Sequence, residues 1–137
     1  MKIVYSYYVL DIIHQGHIIM MKRAKEEAGK DGISIVGILS DKATMEKKSK
    51  PIISLNERLF IAEAIKYNDV IVIQDTYSPL YNVKKLKPNI LMESSSHTLE
   101  DIEFHRKYMQ SVEGTVTVVP YYSEQSSTNI KKKIRES

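Results

Sequence analysis

The feature that most restricts how this sequence can fold is a rhythm. Strand-length apolar runs alternate five times with stretches whose apolar residues recur at helical spacing. The clearest run is residues 33–39, Ile-Ser-Ile-Val-Gly-Ile-Leu, nearly continuous in apolar character, as expected of a parallel strand covered on both faces. Residues 2–8 read as strand one, followed by a helix from about 16 to 28 that stops near Gly29 and Gly32. Residues 40–51 are polar and Lys-rich and read as a loop. Ser54-Leu55-Asn56-Glu57 is a capping-box pattern that opens a helix running to about 66. Strand three falls at 70–73, then a short helix with Leu80, Val83 and Leu86 on one side, ended by Pro88. Strand four is 90–92, a helix covers 99–112, strand five is 115–119, and Ser126-Ser127-Thr128 can cap a last helix running toward 136.

Such a chain is driven toward a parallel sheet with right-handed crossovers. The expected architecture is one α/β, Rossmann-like domain over residues 1–137, with five parallel strands ordered 3-2-1-4-5 and helices on both faces. In that order strands one and four are neighbours where the winding reverses, and the crevice outside their carboxyl ends is where such sheets bind ligands.

Composition narrows the function classes. Lys plus Arg number 20 against 17 Asp plus Glu, a net +3 scattered along the chain. That excess helps attract an anionic substrate but makes no nucleic-acid footprint. The absence of cysteine removes disulfides, thiolate nucleophiles and zinc–thiolate sites. No apolar run approaches the ~18 residues of a membrane span, and no basic-then-apolar leader opens the chain, so a soluble cytoplasmic protein is expected.

Asp11-Ile12-Ile13-His14-Gln15-Gly16-His17 lies on the turn from strand one to helix one. The first turn of a helix offers unpaired N–H groups and a positive dipole, which favour a phosphate, and two imidazoles added there make an oxyanion clamp. Surface helix residues and a glycine cap are the plainer description. Gly16 would let a nucleotide sit against backbone where a Cβ would intrude. Across the crevice stand Glu93-Ser94-Ser95-Ser96-His97.

His14-Gln15-Gly16-His17 resembles the HxGH signature of a nucleotidyltransferase superfamily, and Tyr7 and Asp11 fall where its small bacterial cytidylyltransferases carry them. Residues 37–58, from Gly37-Ile38-Leu39-Ser40-Asp41 to Asn56-Glu57-Arg58, resemble glycerol-3-phosphate cytidylyltransferases without a gap. Pro120 to Ile130 resemble the family's C-terminal motif. Ser40-Asp41-Lys42-Ala43 and Tyr81 to Pro88 look closest to the branch that makes CMP-activated phosphonates.

The resemblance implies transfer of CMP from CTP to a small phosphonate or phosphomonoester with release of pyrophosphate, in a homodimer, with Mg²⁺ bound through the triphosphate. It implies that His14 and His17 stabilise the reacting phosphate and that Lys47 reaches the triphosphate or the acceptor. Arg58 would hold the acceptor anion. Tyr8, Val9, Asp11, Gly16, Glu93 and Ser94 would line the nucleotide site, and Ser126, Ser127 and Thr128 would bind the β- and γ-phosphates. Asp11 could instead orient a histidine or fix the turn, the lysine run could be a solvated loop, and His97 a polar loop residue.

Three departures stand out. Tyr8-Val9 replace a small flexible pair such as Gly-Thr, Tyr121 replaces an arginine, and Glu93 to His97 replace Gly-Asp-Asp-Trp. They leave open ATP in place of CTP, and a catalytically impaired regulatory module.

Overall fold

In the computed structural model, which describes residues 1–120 and 126–137, each apolar run of the rhythm is a strand. The strands are β1 (Ile3–Tyr8), β2 (Ile33–Leu39), β3 (Val70–Gln74), β4 (Ile90–Ser94) and β5 (Thr115–Val119). The helices are α1 (Gln15–Ala28), α2 (Asp41–Thr44), α3 (Leu55–Ala64), α4 (Leu80–Leu86), α5 (Leu99–Ser111) and α6 (Ser127–Glu136). The sheet is parallel and ordered β3-β2-β1-β4-β5, so β1 has β2 on one side and β4 on the other. This is the Rossmann-like order expected from the sequence.

Strand alternation divides the core. Val4 and Tyr8 point to one face, where Ala24, Ala28 and Met21 of α1 and Ala62 of α3 pack on them and on Val36 and Ile38. Tyr5 and Tyr7 point to the other, against Leu80 and Val83 of α4 and Met109 of α5. Because both faces are covered, β2 is buried along almost its whole length. Gly37 at its centre has a specific reason: a Cβ there would lie 2.0 Å from the Tyr5 hydroxyl. That hydroxyl donates to Gln74 Oε1 at 2.6 Å and so passes across β2 to β3.

Two local expectations need correction. The segment after β2 is not all loop: Ser40 accepts a hydrogen bond from the Ala43 N–H and starts α2. β4 runs on to Ser94, so Glu93 is a strand residue rather than part of the following turn. The reason is pairing: β5 carries the ladder past Met92 through Glu93↔Val118 and Ser94↔Val119. Among the described residues no helix is long and apolar enough to cross a membrane.

Candidate active site

Chain direction reverses sharply after β1. Leu10 adopts a left-handed conformation, φ 59°, which is strained for a branched side chain and is held by complete burial. The turn then delivers His14 as the N-cap of α1.

The two histidines cap the helix reciprocally. His14 Nδ1 accepts from the Gly16 N–H at 3.0 Å, and His17 Nδ1 accepts from the His14 N–H at 3.1 Å. Their rings lie 4.1 Å apart. A nitrogen that accepts from a backbone N–H carries no proton, so in each neutral ring the hydrogen is on Nε2. Burial lowers the His14 pKa. Burial first, then the charges of His14 and Lys48, take His17 down to about 4. At neutral pH the pair is therefore two neutral rings, each with an Nε2–H donor, at the first turn of a helix. Capping and anion binding are compatible here, because capping uses the other nitrogen.

Tyr8 is buried beside this clamp, its ring edge-on to His17 at 6.3 Å. Val9 contributes backbone: its carbonyl accepts from Arg58. Asp11 proves to fix the turn. Its carboxylate, 4 % exposed, accepts from the Ile52 and Ile53 N–H groups and from Lys131 of α6. Burial alone would raise its pKa, but the bonds from Lys131 and the two amides hold it below the usual carboxylate value.

The start of α6 comes to the same turn. Ser126 caps the helix through the Asn129 N–H, Ser127 Oγ donates to the Ile12 carbonyl at 2.8 Å, and exposed Thr128 follows in the first turn. Two helix N-termini thus meet beside the clamp. The Tyr121 departure lies outside the described residues.

The loop between α2 and α3 exposes Lys47 and Lys48. The lysine whose charge reaches His17 is Lys48, a residue the sequence reading passed over. Arg58 requires a correction. It is fully buried, with Nε donating to Ile53 O, Nη1 to Val9 O and Leu39 O, and Nη2 to Asp41, at 2.7 to 3.0 Å. A guanidinium spent on internal carbonyls holds the ends of β1 and β2 together and is not presented to an acceptor anion.

Opposite the clamp, Glu93 is fully buried. Its Oε2 accepts from Tyr7 Oη at 2.7 Å and pairs with His97 Nδ1 at 2.6 Å, while Oε1 pairs with His105 Nδ1 at 2.6 Å. Burial would raise its pKa, yet the bonds to His105, His97 and Tyr7 leave it lowered. The sequence expectation that Glu93 itself touches a nucleotide is corrected accordingly: it is buried and both of its oxygens are taken by protein partners. Ser94 is part-exposed and bonds Ser96 Oγ at 2.9 Å. His105 was missed because it occupies an apolar position of α5, in line with Ile102 and Met109. That placement was the one available signal.

Among the described residues no three His, Cys, Asp or Glu side chains form a group that could hold a metal ion. Asp11, Asp41 and Glu93 are each committed to protein donors.

Known proteins resemble the chain over nearly its whole length. The chain is 30% identical over 135 residues to the bifunctional protein HldE of Geobacter metallireducens, covering 97% of this chain and 27% of that protein. It is 31% identical over 130 residues to the bifunctional protein HldE of Campylobacter fetus, covering 91% and 26%. The chain therefore spans about a quarter of these relatives. A crystal structure of a lipopolysaccharide core biosynthesis protein from Thermoplasma volcanium superposes with a TM-score of 0.73 at 24% identity, over 88% of this chain and 96% of that one, which shows a shared fold. The model of the cytidylyltransferase-like family matches residues 9–133, from the strained turn to α6, and the chain belongs to that family of nucleotidyltransferases.

Proposed function

We propose that the chain transfers CMP from CTP to a small phosphonate or phosphomonoester and releases pyrophosphate. The observation that carries this reading is the paired Nε2–H donors of His14 and His17 at the start of α1. The acceptor's anionic oxygen attacks the α-phosphorus, the new P–O bond forms, and the bond to the β-phosphate oxygen breaks in line. The acceptor needs no deprotonation, so the protein's work is positioning and charge stabilisation. His14 and His17 would stabilise charge on the α-phosphate oxygens, and Gly16 leaves room for their approach. The α6 start, through Ser126, Ser127 and Thr128, would take the β- and γ-phosphates, with Lys47 and Lys48 reaching the triphosphate or acceptor from the α2–α3 loop. Mg²⁺ would be held by the triphosphate and water, since the nearby carboxylates are committed, and it supplies charge neutralisation. Family resemblance adds a homodimer to the proposal.

ATP is the second reading of the donor, favoured by the Glu93–His97 arrangement that stands where the cytidylyltransferases the sequence resembles carry Gly-Asp-Asp-Trp. Pyrophosphate release with Mg²⁺ and each of CTP and ATP, against phosphonates, phosphocholine and glycerol phosphate, separates the two. Turnover with CTP is expected, reduced about 10²-fold or more in His14→Ala and in His17→Ala. Turnover with ATP alone overturns the choice of CTP. Nucleotide-induced thermal stabilisation with no turnover on any acceptor points instead to a regulatory module.

A further inference from the structure

The β4 end carries a second pair of histidines, and their chemistry is the reverse of the clamp's. Glu93 is anionic and has no proton to give, so its three partners must all donate to it. His97 and His105 are therefore both protonated on Nδ1. In a neutral ring so held, Nε2 is bare and is a hydrogen-bond acceptor. His105 is buried on α5. His97 is part-exposed, its side chain 29% accessible, and one face of its ring is stacked on Tyr7 at 5.6 Å. Among the described residues its Nε2 has no partner.

The placement limits what this acceptor can meet. Phosphates are drawn to the α1 and α6 starts, and the lysines of the α2–α3 loop suit an anionic acceptor on the β2 side. The β4 side offers hydroxyls and one imidazole, a polar wall that suits a nucleoside.

Resting on the nucleotidyltransferase reading above, we propose that His97 is a specificity-determining residue whose Nε2 accepts a hydrogen bond from the exocyclic amine of the nucleobase. Glu93 is then a positioning residue that fixes the tautomer, with Tyr7 supporting the ring from below and His105 tying the carboxylate to α5. Cytosine and adenine carry an amine where uracil and guanine carry a carbonyl. The site should therefore prefer CTP over UTP and ATP over GTP, whichever ring size it takes. A carbonyl facing a bare imidazole nitrogen sets two acceptors against each other and leaves both unpaired.

The test is equilibrium binding of CTP, UTP, ATP, GTP and inorganic tripolyphosphate, each with Mg²⁺, to the wild-type chain, His97→Ala, Glu93→Gln and His17→Ala. The expected result is an amino-over-keto preference of about tenfold or more in the wild type, falling to about twofold or less in His97→Ala. Tripolyphosphate affinity should stay unchanged in His97→Ala and fall in His17→Ala. Glu93→Gln frees the tautomer and should weaken the preference without abolishing triphosphate binding. A wild type that binds amino and keto nucleotides equally, or a preference that survives His97→Ala, overturns the proposal and leaves the nucleotidyltransferase reading standing. A keto preference would mean that Nε2 donates and would also overturn it. If neither nucleotide nor tripolyphosphate binds in a His17-dependent way, both readings fall together.

Discussion

The two histidine pairs at the carboxyl edge of the sheet present opposite chemistry from the same side chain. At the α1 turn each Nδ1 accepts from a backbone N–H, so Nε2 keeps the proton and the outward chemistry is that of a donor. At the β4 end each Nδ1 meets a buried carboxylate and keeps its proton, so in the neutral ring proposed for His97 the outward Nε2 would be an acceptor. The side chain is identical in both places; the partner of its inner nitrogen decides what it can bind. A phosphate needs donors and an amine needs an acceptor, so the nucleotide site proposed above would use a single residue type at both of its ends.

The pairs also differ in what they do for stability. Glu93 is a buried charge whose compensation comes entirely from side chains, whereas the clamp histidines are caps on a half-buried helix start. In Glu93→Ala the rings of His97 and His105 and the Tyr7 hydroxyl lose their shared partner, and a loss of roughly 3–5 kcal/mol is expected from denaturant unfolding. His14→Ala removes a cap and should cost only about 1 kcal/mol of stability, while costing turnover heavily as above. Equal stability losses from the two would break the comparison.

The pH dependence sharpens it further. Because the folded His17 pKa lies near 4, the unfolded chain takes up a proton that the native clamp refuses between about 6.5 and 4. Stability from this group is fully present above about 6.5 and drains away as pH falls toward about 4. Glu93 is also lowered, so its contribution is lost at still lower pH, below the ordinary carboxylate value. Ring-proton NMR of the free protein should show His17 titrating near 4. A midpoint near 6.5 would mean that the clamp is solvated and its tautomers unfixed.

Much of the site's frame was legible before any coordinates. The HxGH turn could be placed because a strand pattern precedes it and a helical one follows. Ser126 could be named as a cap because hydroxyl residues at helix starts bond locally, and it does cap α6. Arg58 was misjudged, and of the roles left open for Asp11 the structure shows the turn-fixing one, for a common reason. Charged residues beside a crevice read as ligands for charge, yet Arg58 is enclosed by the carbonyls of 9, 39 and 53 and Asp11 by the amides of 52 and 53. Lys48 was passed over in favour of Lys47, because a run of lysines on a loop has no periodicity to say whose charge reaches His17.

What the sequence by itself determined is everything that depends on neighbours along the chain: strand runs, helix periods, caps, and through the alternation of the two a parallel sheet ordered 3-2-1-4-5. Apolar periodicity and turn chemistry are local, so they survive without the fold. The full set of partners around each buried ion was decided only by tertiary structure, because each set includes at least one residue remote in sequence. Tyr7 and Glu93, 86 residues apart, meet only once β1 and β4 pair, and that meeting completes the donors around the buried carboxylate.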